Sequence, residues 1–407
     1  MIAENRRSRA HTDIVLIILV AAMSIFGIVA VCVATYSAGS QSDVPFLNHI
    51  VESSYAMRQS LFVFIVAPLI AGVIIAIPYD WLRRFSRLIY WITIIVLTLV
   101  TVFNRATGVK AWLDVIWGYT IQPSEFAKLA MILILARQFS QESSPLSSWS
   151  SLWRLGFTVG LPSLIILAEG ETGSMLVIVF LTVVMLYFAH CNLKSLGLLA
   201  LAGALMILAI YGYMVASGSN DYRLARIYGF LNPELYSSSD SYQILQSQMA
   251  IGSGGINGIG MFVDGSMSQL NYVPADWTDF IYATIGEAWG FVGCFAVLVG
   301  YMLIIFRMLY LAANTRDKFG RLIICGVMGM ILFHVFENIA MTLGLMPITG
   351  IPLPFLSYGG SNMATNIGGI GLVLNVTRNR SLSDSISTPQ TFYNPYRVSR
   401  HFKTRPY

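Results

Sequence analysis

Tyr272-Val273-Pro274-Ala275-Asp276-Trp277-Thr278-Asp279-Phe280 runs straight into a long apolar stretch. An aspartate at the lip of a membrane helix is half desolvated, which raises its pKa toward the range useful for a general base. Thr278 or Asp279 also suits a plain helix N-cap, and spacing alone favours the cap. A second constellation, Gln122-Pro123-Ser124-Glu125-Phe126-Ala127-Lys128, opens another apolar run. Its proline fits a first helical turn, and Glu125 and Lys128 lie three apart on one face. They form either a structural ion pair or a means of offering Lys128 to an anionic headgroup. Glu169 and Glu171 bracket a tight turn, and Glu287 sits one or two turns into the run after Asp279. His334 and Glu337, three apart, read as a satisfied buried pair rather than a metal site. Ionisable groups inside apolar spans are expensive, so each of these is a functional candidate.

Two glycine-bearing segments complete the inventory. Gly350-Ile351-Pro352-Leu353-Pro354-Phe355-Leu356-Ser357-Tyr358-Gly359-Gly360-Ser361 makes a broken, rigid lead into the last apolar run. Its paired glycines permit close backbone approach, which suits a gate, a packing seam or a substrate groove. Gly252, Gly254, Gly255, Gly258 and Gly260 loosely resemble a dinucleotide fingerprint, but no βαβ context surrounds them. A flexible or re-entrant segment packed against helices is the better reading. The four cysteines (Cys32, Cys191, Cys294, Cys325) lie in or beside apolar runs without CxxC spacing, which suggests buried thiols.

These groups must be positioned by membrane helices. The 407 residues are 56% hydrophobic and only 11% charged, against about 25% charged in soluble domains, so soluble domains are excluded. Apolar runs fall near 13–37, 57–79, 84–103, 123–139, 154–169, 172–190, 194–216, 280–306, 321–343 and 358–377. That predicts an all-α polytopic membrane protein of ten transmembrane helices. With both termini cytoplasmic, lysines and arginines divide 19 inside to 5 outside, with Lys128 inside a span. The outer five are Arg58, Arg105, Lys110, Arg223 and Arg226. An anionic ligand approaching from outside must use Arg105, Lys110, Lys128, Arg223 or Arg226, and bidentate arginines suit pyrophosphate. Residues 1–12 form a cytoplasmic N-terminus, 13–380 the membrane domain, 217–279 a large extracellular loop between helices seven and eight, and 381–407 a disordered basic tail. Basic residues flanking spans report orientation or lipid contact, so membrane lipids, not nucleic acid, are the expected partners.

In these motifs the chain resembles the SEDS family, the FtsW, RodA and SpoVE group of bacterial cell-wall proteins, over residues 13–380. The likeness rests on Gln122 to Lys128; on Tyr242-Gln243 through Gln246-Ser247 to Ala250-Ile251-Gly252-Ser253-Gly254-Gly255; on Thr278-Asp279-Phe280 leading to Gly286-Glu287; and on Gly350 to Ser361. It implies a peptidoglycan glycosyltransferase that polymerises lipid II at the outer face of the bacterial cytoplasmic membrane. By this likeness Asp279 is the catalytic base. It would deprotonate the 4-hydroxyl of the acceptor GlcNAc, whose oxygen attacks the anomeric carbon of the donor MurNAc and expels undecaprenyl pyrophosphate with inversion. Lys110, Glu125, Lys128, Glu171, Arg223, Arg226, Gln246, Ser247, Glu287, Ser357 and Ser361 are then the expected substrate-binding residues. The family works with a class B penicillin-binding protein as transpeptidase. Magnesium or manganese could assist the pyrophosphate, although no ligand set establishes either.

The likeness is not complete. Gly108-Val109-Lys110-Ala111-Trp112 has one basic residue fewer than the family's usual form, and Glu169-Gly170-Glu171 and Ala275-Asp276-Trp277 also depart from it. Two other readings are a lipid II flippase and a non-catalytic scaffold for the transpeptidase. A flippase should carry its charges near the midplane on repeated, broken helices, whereas the candidates here sit at the outer rim. Substituting Lys128 or Arg226 by alanine is expected to weaken lipid II use more than it destabilises the fold.

Overall fold

Inside a bilayer no water is available to the backbone, so apolar runs must satisfy their N–H and C=O groups as helices. The computed structural model describes residues 12–36, 49–51, 53–107, 112–114, 120–142, 145–198 and 239–386, with isolated positions at 201, 203, 212, 226, 229 and 230. Ten helices are numbered here: α1 Ile14–Ala34, α2 Ser54–Ala76, α3 Tyr79–Thr107, α4 Pro123–Gln141, α5 Trp149–Glu169, α6 Thr172–Phe188, α7 Ser239–Gly254, α8 Ile281–Ala313, α9 Lys318–Thr342 and α10 Gly360–Ile386. Among the described residues six of them, α1, α2, α3, α5, α8 and α9, are long and apolar enough to cross a membrane, and α6 is a shorter apolar helix. The chain is an all-helical polytopic membrane protein. Of the expected spans, the one at 194–216 falls largely outside the described residues, where only 193–198 form a continuous helical stretch. Helix α10 continues to Ile386, six residues into the segment expected to be tail.

Helix α9 is the axis of the bundle. It is buried almost all round, as a central helix must be, and packs on α4, α6, α8 and α10. Helix α2 is the opposite case, with Met57, Leu61, Phe64, Ile65, Leu69 and Val73 exposed. Its middle, Phe62–Val66, widens into a π turn closed by Ala67 N–H bonding Phe62 O. The next residue, Pro68, has no N–H to contribute, and such turns often mark functional positions. A small antiparallel hairpin, β1 Leu113–Asp114 with β2 Thr120–Ile121, precedes α4.

The glycine cluster is a joint. Helix α8 breaks at Gly290 (φ 63°, ψ −157°), a conformation open essentially to glycine alone. The backbone groups freed there are taken up by the segment after α7. Ile259 N–H donates to Glu287 O (2.9 Å), Gly260 N–H to Ala288 O (3.1 Å), Phe291 N–H to Gly255 O (2.9 Å) and Val292 N–H to Ile256 O (3.1 Å). Helix α7 lies so close that a Cβ at Gly254 would stand 1.9 Å from Gly286 O. Gly254→Ala is therefore expected to destabilise the protein by about 3 kcal/mol or more through backbone overpacking. Gly252→Ala, where a Cβ meets nothing within 4 Å, should leave unfolding in detergent unchanged. Equal unfolding of the two variants would contradict the packing argument.

Candidate active site

A cavity of about 810 Å³ opens at one end of the bundle. Its walls come from α2 (Arg58, Gln59, Phe62, Ile70), the hairpin (Thr120, Ile121), the start of α4 (Gln122, Glu125, Phe126), the α5–α6 turn (Gly170, Glu171), Arg226, the lead into α8 (Thr278, Asp279) and segments 349–352 and 358–362. The lining combines charged groups (Arg58, Glu125, Glu171, Arg226, Asp279) with apolar side chains (Phe62, Ile70, Phe126), a combination suited to an amphiphilic ligand.

Asp279 sits half-buried in this wall. It does not cap α8: the N-cap position is Phe280, and no side chain caps that end. Thr278 instead turns its hydroxyl back to Ala275 O (3.1 Å). This corrects the N-cap reading, and it leaves the carboxylate of Asp279 available for chemistry. Burial pushes its pKa up to about 6, with Arg226 pulling in the other direction. The neighbouring Asp276 is fully buried away from the cavity. Burial pushes its pKa up to about 8, opposed by the amides of Trp277 and of its own residue, with Glu287 adding to the rise. Its oxygens find no partner of hydrogen-bonding geometry. Of the two aspartates, only Asp279 meets the cavity.

Glu171 accepts from Ser124 Oγ (2.7 Å), Ser174 Oγ (3.3 Å) and Gln122 Nε2, so it ties the α5–α6 turn to the start of α4. Burial raises its pKa, and the Ser124 bond offsets part of the rise. Ser361 Oγ accepts from Gln122 N–H (3.1 Å), joining the same corner to α10. The structure thus brings Glu125, Glu171, Arg226, Asp279 and Ser361 to one cavity.

Other expected residues lie elsewhere. Lys128 is 1% exposed, with its Nζ 2.6 Å from Glu125 Oε1 and 2.9 Å from His334 Nε2. An ammonium only donates, so the imidazole accepts at Nε2 and is neutral. Lys128 stands behind Glu125, so its expected headgroup role is corrected to that of a buried counter-charge. His334 and Glu337 likewise do not pair with each other: His334 faces Lys128, while Glu337 accepts from Thr349 Oγ1. Glu287 is buried and accepts from Met267 N–H (2.6 Å), Ser268 N–H (3.1 Å) and Ser268 Oγ (2.7 Å), which anchors the loop before α8. Ser247 donates to Thr342 O (2.7 Å), and Gln246 is half-buried on the same helix, α7, outside the cavity lining. Ser357 lies just behind the cavity wall, bonded to Leu353 N–H (2.8 Å) and Thr278 O (2.6 Å). Lys110 and Arg223 lie outside the described residues. Arg58, counted in the sequence only toward orientation, lines the cavity. Its position among the few outer basic groups was the available signal. Among the described residues no three His, Cys, Asp or Glu side chains converge.

Residues 13–382 match the cell cycle protein family of FtsW, RodA and SpoVE. The chain belongs to this family. Among its FtsW/RodA/SpoVE relatives, the probable peptidoglycan glycosyltransferase FtsW of Trichlorobacter lovleyi is 31% identical over 379 residues, covering 92% of this chain and 95% of that protein. The peptidoglycan glycosyltransferase MrdB of Escherichia coli is 33% identical over 315 residues, covering 76% and 82%. Stage V sporulation protein E of Bacillus subtilis is 33% identical over 332 residues, covering 80% and 87%. A solved peptidoglycan synthase complex, described as coordinating polymerization and crosslinking, contains a chain with TM-score 0.72 and 26% identity, covering 91% of this chain and 98% of that one. Thermus thermophilus RodA superposes with TM-score 0.61 at 26% identity, covering 90% and 96%. Membership in this family makes the chain a multi-pass protein of the cytoplasmic membrane, with glycosyltransferase relatives in peptidoglycan synthesis.

Proposed function

We infer that the chain is a peptidoglycan glycosyltransferase that polymerises lipid II, with Asp279 as general base. The observation that carries the reading is the half-buried carboxylate of Asp279, which caps no helix, in the wall of a cavity lined by both charged and apolar groups. Burial there pushes its pKa up to about 6. In its anionic form Asp279 takes the proton of the acceptor 4-hydroxyl. The freed oxygen forms a bond to the donor's anomeric carbon from the face opposite the leaving group. The bond from that carbon to the pyrophosphate oxygen breaks, and undecaprenyl pyrophosphate departs with the electron pair. A diphosphate leaves without a strong acid. Arg226 and Arg58 supply positive charge on the walls for it, while Phe62, Ile70 and Phe126 suit the lipid tail.

Ten spans with both termini cytoplasmic would place this cavity at the outer leaflet, where the acceptor strand grows. A class B penicillin-binding protein is the proposed partner, supported by the likeness to the synthase complex. The test is the purified chain, with that partner, in lipid vesicles supplied with labelled lipid II and moenomycin to silence other polymerases. Glycan strands support the reading, and their absence with a folded protein and partner overturns it.

Arg226→Ala is expected to raise KM for lipid II by about tenfold or more, since a hydrogen bond to a charged group is lost. Removing the cation also withdraws the downward pull on Asp279. Its pKa should then rise, so activity at pH 6.5 should fall further than at pH 8. A pH profile with an unmoved acid limb would contradict this pairing.

A further inference from the structure

Three consecutive carbonyl oxygens in the segment that carries the base are gripped from outside it. Tyr358 N–H donates to Trp277 O (2.9 Å), Ser357 Oγ to Thr278 O (2.6 Å), and Asn338 Nδ2 to Asp279 O (2.7 Å). The same nitrogen of Asn338 donates to Ile351 O (2.7 Å). Asn338 lies fully buried in the central helix α9. Both of its partners are acceptors, so only the NH₂ side of the amide can face them, and its orientation is fixed. Its Oδ1 is buried without a hydrogen-bond partner among the described residues. An unmet buried acceptor is destabilising, so the two donated bonds account for an amide at this position.

Asp279 has no side-chain hydrogen bond among the described residues, and the start of α8 has no side-chain cap. The aim of the carboxylate is therefore set through its backbone. We propose that Asn338 is a positioning residue, whose single amide clamps the backbone of Asp279 to that of Ile351 and so fixes the base against the neighbouring strip of cavity wall. The proposal rests on the reading of Asp279 as general base. Asn338 joins two adjacent strips of the cavity wall, 278–279 and 349–352, and a Cβ at Gly350 would stand 3.5 Å from Asp279 Oδ2. If the clamp is lost, each strip relaxes independently and water reaches the carboxylate.

The charged groups around Asp279 are Arg226 and, on α9, Glu337, with Arg58, Glu125 and Glu171 on the other walls. Substituting Asn338 alters none of them. The experiment compares wild type, Asn338→Ala and Asn338→Leu as full chains with their transpeptidase partner in vesicles, using labelled lipid II from pH 5 to 9. The leucine variant keeps the volume, cannot donate and adds no titratable group, so it decides the matter if the alanine variant fails to fold. The expected result is a kcat lowered roughly 100-fold, as for a base misplaced by about 1 Å, with KM changed by no more than about twofold. The acid limb should also move to lower pH, because the burial that raises the Asp279 pKa is relieved.

An unchanged kcat in a folded variant overturns the proposal. So does a lowered kcat with an unmoved limb, the mark of a merely structural residue. Asp279→Asn is run alongside. If it polymerises normally, the general-base reading fails and takes this one with it. If it is inactive while the Asn338 variants behave as wild type, only the clamp is wrong.

Discussion

Asp279→Asn should lower the polymerisation rate by about 10²–10⁴-fold, the range contributed by a positioned general base. The amide keeps the size of the carboxylate but cannot take the proton. Asp279 makes no side-chain hydrogen bond among the described residues and caps no helix, so the substitution breaks no structural contact. Unfolding in detergent should therefore stay at the wild-type temperature. With its pKa near 6, the wild-type base is mostly ionised at pH 7.5, and below pH 6 the rate should drop about tenfold per pH unit as the carboxyl protonates. Asp276, only three residues away, gives the internal comparison. It lies outside the cavity lining, so Asp276→Asn should leave the acid limb in place. Normal strands from Asp279→Asn would end the assignment, whatever the outcome at Asp276.

Lys128→Met should cost about 3–5 kcal/mol of stability, the penalty for leaving one member of a buried ion pair uncompensated. Glu125 would remain buried with no counter-charge, and His334 would lose its donor. The double variant Glu125→Gln/Lys128→Met removes both charges and should recover most of the loss, because an apolar replacement for a buried pair is close to neutral. Thermal unfolding of the three proteins measures this directly. The order of effects expected from sequence, substrate use before stability, is reversed at Lys128 and retained at Arg226. The single variant would have to unfold at the wild-type temperature and use lipid II poorly for the headgroup role to return.

The difference between those two residues shows what a sequence can express. Helical spans follow from apolar runs, because a run of the right length has one stable backbone solution in lipid. The surroundings of Asp279 were legible from its place at the mouth of such a run. The spacing of Glu125 and Lys128 said that they pair, but not that α9 would cover them, since depth is set by helices some 200 residues further along. His334 and Glu337 share a helical face, yet each looks toward a different neighbour, and three-residue spacing alone could not separate those outcomes. Asn338 carried no signal. A single asparagine in an apolar helix breaks no pattern, and its two partners come from separate segments that only the tertiary fold brings together.

The joint at Gly290 also bears on how this protein tolerates change. Its four bridging bonds run from backbone to backbone, so the joint depends on chain path and not on the chemistry of Ile256, Ile259, Phe291 or Val292. In a saturation library those four positions should accept many residue types while Gly254, Gly258 and Gly290 accept almost none. The break within α8 would thus be held in register by positions defined by the absence of a side chain, leaving the surrounding surface free to be rewritten for different membranes or partners.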